Sequence, residues 1–162
     1  MYYSIFASPI GDMLLTADGG ALTGVDFLDK VADPVGQRDD GAFGEATAQL
    51  RAYFAGELTE FSLDLATGGT PFQQRVWSAL RTIPYGTTTT YSKLATALGD
   101  ERATRAVGSA NGRNPISIII PCHRVIGADG SLTGYGGGME RKQWLLALEG
   151  RALPFVSDGC RR

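Results

Sequence analysis

One histidine and two cysteines are all the imidazole and thiol chemistry this chain owns. Two cysteines cannot build a disulfide framework, and a structural zinc site asks for about four Cys or His ligands. Cys122, His123 and Cys160 supply three at most, and Cys160 lies in the short polar tail "SDGCRR". No metal and no disulfide is therefore expected. Long apolar runs are missing too: nothing approaches the ~18 residues of a membrane span. The N-terminal "MYYSIFASPIGDMLLTADGG" has no basic segment of the kind that opens an export signal. The expectation is a cytoplasmic protein with no membrane contact. Repeats and low-complexity tracts are absent, and 43% apolar with 20% charged residues excludes disorder and fibres. Positive charge is scarce in one half. Residues 1–70 hold Lys30, Arg38 and Arg51 against eleven acids, a net of −8; residues 71–162 hold twelve Lys or Arg against six acids, a net of +6. Such a split is expected when the second half alone approaches a polyanion.

The chain is organised in two parts and a tail: residues 1–69, 70–152 and 153–162. "YYSIFAS" and "MLLTADGGALTGVDFL" are short apolar runs punctuated by Pro9-Ile10-Gly11 and Gly19-Gly20, which predicts antiparallel strands joined by turns. "DKVADPVGQRDDG" reads as a loop. "FGEATAQLRAYFAGEL" spaces Ala46, Leu50, Tyr53 and Phe54 as one face of a helix, and "SLDLATGG" reads as a further strand with a glycine linker. In the second part, Thr70, Pro71 and Gln73 make a capping-box start for a helix burying Phe72, Val76, Trp77 and Leu80. A short helix ending at Gly99 and another from Asp100 to about Asn111 suggest helix-turn-helix geometry. "SIIIP" reads as a strand delivering the chain to Cys122, and "MERKQWLLALEG" as a last helix closed by Gly150.

Against that scarcity, "PCHR" at 121–124 sets Cys122 beside the sole imidazole, His123. An inert core cysteine is the ordinary reading, since Ile118, Ile119, Ile120, Val125 and Ile126 surround it. Pro121, the imidazole and the Arg124 guanidinium favour a thiolate stabilised by positive neighbours. Adjacent side chains of extended chain point apart, so contact between Cys122 and His123 needs a turn or a bridging water. A base acting through water needs a third group to orient it, and Glu149 on the last helix is the candidate. The helix "ATRAVGSANG" surrounds Arg105 with Ala103, Ala106, Gly108, Ser109, Ala110 and Gly112. Small residues permit either close internal packing or a backbone seated deep in a nucleic-acid groove, with Arg105 filling a gap in the base stack. The charge split favours the groove. The loop "GADGSLTGYGGG" lacks the spacing of a phosphate-binding turn and reads as a pocket wall, with Tyr135 a flat surface for a base.

Assembled, "RAVG" at 105–108, "NP" at 114–115, "PCHRV" at 121–125, "GYGGG" at 134–138 and "WLLALEG" at 144–150 closely resemble the O6-alkylguanine-DNA alkyltransferases, strongly over residues 70–150. The resemblance implies an α/β (α+β) fold: an N-terminal ribonuclease-H-like antiparallel sheet with a helix, and a C-terminal helix-turn-helix (winged-helix-like) domain used in the minor groove. It implies that Cys122 accepts the alkyl group, His123 activates it through a water, and Glu149 orients His123. Asn114 matches the brace of the active-site turn, and Tyr91 the group that helps neutralise the departing guanine. Val125, Tyr135, Gly136, Lys142 and Ser117 match substrate-binding positions. Arg105 matches the finger replacing the flipped nucleotide, with Ala106, Gly108, Ser109, Ala110 and Arg113 on the same DNA-facing stretch. The N-terminal zinc ligands of some relatives are absent, and Ser117 and Gly136 stand where some relatives carry bulkier or more polar residues. The implied activity is single-turnover transfer from O6-alkylguanine, and O4-alkylthymine, in double-stranded DNA, by a monomer using no cofactor. Whether it binds DNA cooperatively stays open. Rival readings are a lesion-binding relative without transfer activity and a thiol hydrolase.

Overall fold

A computed structural model describes residues 1–132, 135 and 138–151. Gly136, Cys160 and the 153–162 tail lie outside the described residues. Strand β1 (Tyr2–Ser8) buries Ser4 and Phe6, β2 (Gly11–Asp18) buries Met13, Leu15 and Ala17, and β3 (Ala21–Phe27) buries Leu22, Val25 and Phe27. Alternation in β1 and β2, with a register shift between Thr16 and Ala17 that lets Leu22 and Val25 share a face of β3, builds one side of a sheet, while Leu14 is buried on the other. Both hairpins are antiparallel. The second turns on Gly19 and Gly20, whose φ values of 63° and 90° suit the tight turn that matches strand twist. The segment expected to be a loop adds a fourth strand, β4 (Gln37–Arg38), parallel to β1, giving the order β3-β2-β1-β4. Its pairing is set by backbone partners, Gln37 N–H to Met1 O and Asp39 N–H to Tyr3 O, so no side-chain alternation announces it.

Helix α1 (Gly44–Phe54) lays Ala46, Leu50 and Tyr53 against this sheet. "SLDLATGG" does not form a strand. It makes one bridge, Leu65 to Leu22, through Leu22 N–H to Asp64 O and Ala66 N–H to Leu22 O. The same edge of β3 is reached again from far along the chain: Val25 N–H donates to Pro115 O at 2.9 Å, and Ser117 N–H to Val25 O at 2.8 Å.

Helix α2 (Pro71–Leu80) starts on the expected capping box, with Thr70 and Gln73 each accepting the other's backbone N–H. A short strand β5 (Thr89–Thr90) leads into α3 (Tyr91–Ala97), capped by Thr90. The predicted helix from Asp100 resolves into a 3-10 turn, Glu101–Ala103, followed by α4 (Thr104–Gly112). Trp77 of α2 donates its indole N–H to Ala110 O at 2.8 Å, locking α2 to α4 inside the protein. Residues 122–124 form a 3-10 turn, β6 (Val125–Ile126) pairs with β5 in parallel, and α5 (Met139–Arg151) continues one residue past Gly150. Residues of both halves share one continuous apolar core. No described helix is long and apolar enough to cross a membrane.

Candidate active site

The stretch expected as a strand before Cys122 is a turn folded back on itself. Asn114 closes it: its side-chain oxygen accepts Ile116 N–H at 3.0 Å, and its amide donates to Ile120 O at 2.7 Å. Ile120 N–H returns to Ile116 O, and Cys122 N–H donates to Ile120 O at 2.7 Å. Ile118 sits at φ 73°, the single described non-glycine residue with positive φ. A β-branched residue in that region costs on the order of 1–3 kcal/mol, and such strain gathers at functional sites. Three isoleucines in a row read as a strand, yet the Asn114 amide takes the backbone groups a ladder would have used.

The turn delivers Cys122 into the interior, 4% exposed. Burial pushes the thiol up to about 11, while the Asn114 side chain and the Lys142 charge pull the other way. The expected resting thiolate is thereby corrected: burial outweighs the positive neighbours, and the resting group is a thiol. Lys142 is itself buried, donates to Val125 O at 2.5 Å and lies 5.9 Å from the Tyr91 ring centre. Burial pulls its ammonium down to about 8, partly offset by Cys122. Asn111 donates to Cys122 O at 3.3 Å and hydrogen-bonds Tyr91, whose hydroxyl burial pushes up.

His123 is fully buried on the same 3-10 turn, and its Nε2 lies 2.7 Å from Glu149 Oε2. Burial by itself would push the Glu149 carboxyl up, but His123 and Arg124, by charge and hydrogen bond, hold it well below the usual carboxylate range. An ionised carboxylate accepts but never donates, so Nε2 carries a proton towards Glu149, and in the neutral ring Nδ1 is the nitrogen with the lone pair. That Nδ1 is buried and meets no hydrogen-bonding partner among the described residues. Arg124 forks onto both carboxylate oxygens, at 2.9 and 3.0 Å, and donates a third bond to Ile83 O at 2.7 Å. Tyr53 of α1 donates its hydroxyl to Glu149 Oε2 at 2.6 Å. The arrangement can accept a proton at Nδ1 and stabilise it against a fixed negative charge.

Around this centre, Val125 and Tyr135 are buried, and Ser117 is buried and tied to β3 through its backbone N–H. Helix α4 has two faces: Arg105, Ala106 and Ser109 are exposed, as is Arg113 just beyond its end, while Val107, Ala110 and Asn111 point inward. Ala110 was expected on the DNA-facing stretch; its side chain is instead packed at the α2 contact. Gly108 is half-buried beside Tyr91, where a Cβ would lie 3.8 Å from the ring. An open groove of about 550 Å³ lies elsewhere, between β1 and α1, lined by Phe6, Pro9, Asp40, Arg51 and Phe54. Neither a cysteine nor a histidine lines it. Among the described residues no cluster of three His, Cys, Asp or Glu is placed to hold a metal.

The family model described as 6-O-methylguanine DNA methyltransferase, DNA binding domain, matches residues 71–151, and its ribonuclease-like domain matches residues 1–67. The chain belongs to the 6-O-methylguanine DNA methyltransferase family. Among its members, the methylated-DNA–protein-cysteine methyltransferase of Mycobacterium tuberculosis is 54% identical over 157 residues, 95% of each chain. That of Methanosarcina acetivorans is 53% identical over 155 residues, 93% of this chain and 99% of the relative. The fold is similar to the crystal structure of the Mycobacterium tuberculosis protein in complex with DNA, at 53% identity and a TM-score of 0.90, covering 96% of this chain and 97% of that one.

Tyr53 and Asn111, two buried polar residues of this methyltransferase-family site, were not singled out from sequence, and Arg124 was read only as a positive neighbour of the thiol. Arg124 stood in plain view inside "PCHR", and its charge in an apolar context was a signal that a carboxylate waits nearby. Tyr53 read as one more apolar position of α1; the available signal was that a buried tyrosine hydroxyl needs a partner. Asn111 offered no signal, because nothing in its own helix reports that Cys122 O lies across from it.

Proposed function

We propose that the protein repairs DNA by direct reversal, moving the alkyl group of O6-alkylguanine, and of O4-alkylthymine, onto Cys122 once per molecule. The observation that carries this is a buried thiol beside a proton-accepting chain, Nδ1 of His123 backed by Glu149, at the end of a strained turn. Residues 70–152 act as the DNA-binding and acceptor domain, residues 1–69 as the domain that supports it. A monomer meets the minor groove with the exposed face of α4, where Ala106 and Ser109 let the backbone approach and Arg105 takes the place of the rotated nucleotide. Rotation costs a few kcal/mol, least for a badly paired lesion.

The rotated base brings its alkyl carbon to Sγ. The thiol proton passes through a water to His123 Nδ1, and Glu149 stabilises the resulting imidazolium. Sulfur forms a bond to carbon as the bond from carbon to O6 breaks, and that electron pair leaves with guanine. The Tyr91 hydroxyl helps to neutralise the departing guanine, lowering the barrier where charge develops. Val125, Tyr135, Ser117 and Lys142 bound the alkyl pocket. Because the product is a thioether without a carbonyl for water to attack, the chemistry calls for no cofactor and has no regenerating step.

Intact mass after incubation with O6-methylguanine duplex DNA is expected to rise by one methyl group, on the peptide holding Cys122. Cys122→Ser should bind the same DNA and gain nothing. An unchanged wild-type mass, or repeated turnover, would sink this reading.

A further inference from the structure

The carboxylate behind His123 is held from two directions, one of which comes from the other half of the chain. Glu149 Oε1 accepts from Arg124 Nε; Oε2 accepts from Arg124 Nη2, His123 Nε2 and the Tyr53 hydroxyl. Arg124 fixes the plane of the carboxylate but is a neighbour of His123 on one short turn, so the two can shift together. Tyr53 is anchored differently. Its ring packs against Phe54, Phe61 and Tyr85 at 5.4 to 6.2 Å between centres, on a helix laid against the N-terminal sheet. It is fully buried, and its donated bond of 2.6 Å is the shorter kind expected between a hydroxyl and an ionised oxygen. A carboxylate oxygen has few directions in which to accept, so a donor fixed in one leaves another aimed at Nε2.

We infer that Tyr53 is a positioning residue for alkyl transfer: by fixing Glu149 Oε2 it holds His123 in the tautomer and orientation that leave Nδ1 free to take the thiol proton. The N-terminal half thereby takes part in the chemistry through a carboxylate of the last helix. The groups facing the carboxylate are Tyr53 from α1, Arg124 and His123 from the 122–124 turn, and Tyr85 from the segment after α2, whose ring lies under the Arg124 guanidinium at 5.6 Å. Only Tyr53 belongs to residues 1–69.

The inference rests on the acceptor reading above, and the chain's single histidine makes it testable without assignment ambiguity. Tyr53→Phe keeps the ring and removes the hydroxyl. Its maximal single-turnover rate of methyl uptake is expected to fall about tenfold, with affinity for lesion DNA unchanged within about twofold. The ring nitrogen signals of His123 in NMR should move from an Nε2-protonated pattern towards a mixture of tautomers. Tyr85→Phe removes another buried hydroxyl, one with no partner among the described residues, and should leave rate and tautomer unchanged. A Tyr53→Phe rate within about twofold of wild type, an unchanged histidine pattern, or equal losses from Tyr85→Phe overturns the inference. Should Tyr53→Phe not fold, the wild type decides. An Overhauser contact between the Tyr53 hydroxyl proton and the His123 Nε2 proton supports it, and an Nδ1-protonated ring overturns it. Wild-type protein that takes up no methyl group overturns the acceptor reading as well; normal wild-type uptake with a silent Tyr53→Phe overturns this inference alone.

Discussion

Residues 2–27 and residues 114–124 hold their shape by different means. The N-terminal hairpins satisfy their backbone with one another, residue opposite residue, along two antiparallel ladders. The acceptor segment adds buried side chains to its short backbone bonds: Asn114 binds its backbone twice and Asn111 once, beside turns such as Ile120 N–H to Ile116 O and Cys122 N–H to Ile120 O. A ladder loses little when one side chain changes. A segment held by buried polar side chains leaves orphaned partners with each loss, and an orphan costs about 1–3 kcal/mol. The regular region is therefore robust, and the chemistry sits where the fold is brittle.

That contrast can be broken most severely at Asn114. Asn114→Ala orphans Ile116 N–H and leaves Ile120 O with Cys122 N–H as its donor, so stability is expected to fall by about 1–3 kcal/mol, with methyl uptake lost, measured by denaturant melts and intact mass. A variant that melts like wild type would remove the distinction between the two regions. Next in size is Arg105→Ala, which touches neither region's framework. Uptake from duplex DNA should fall about 30- to 100-fold, uptake from the free alkylated base much less, and stability hardly at all. Equal losses on both substrates would mean that Arg105 serves the pocket and not the duplex.

The interior of the acceptor segment sets a pH dependence of its own. With the Cys122 thiol at about 11, its reaction with iodoacetamide in the absence of DNA should rise about tenfold per pH unit through pH 9 and 10. Following the Cys122 peptide by mass keeps Cys160 out of the measurement, and a plateau near pH 8 would show a thiolate already at rest. The smallest effect belongs to the ladder. Gly19→Ala forces a Cβ into a left-handed turn and should cost about 1 kcal/mol in a melt, with uptake unchanged. A loss of transfer there would tie the hairpin to the site.

What was legible in the sequence follows the same division. Strands β1 to β3, α1 and the capping box of α2 could be read because their period and turn residues are local. β4 could not, since two residues paired to a distant backbone carry no pattern. The strand read into "SIIIP" failed because propensity was judged without Asn114, whose amide reaches over six residues to claim the carbonyl of Ile120. Cys122, His123 and Glu149 were found through motifs at family spacing. The resting thiol was not, because burial depends on what packs around Pro121 to Val125 and not on the charges written beside them. Tyr53 lies 96 residues from its partner, further than any spacing could suggest.

The free edge of β3 is covered by chain that comes later: Asp64 and Ala66 at one point, Pro115 and Ser117 at another. During synthesis the sheet is complete long before its cover. A bare strand edge invites pairing with other chains. The nascent protein therefore passes through a window, open until the acceptor turn has been made, in which the half without the acceptor thiol is the half at risk.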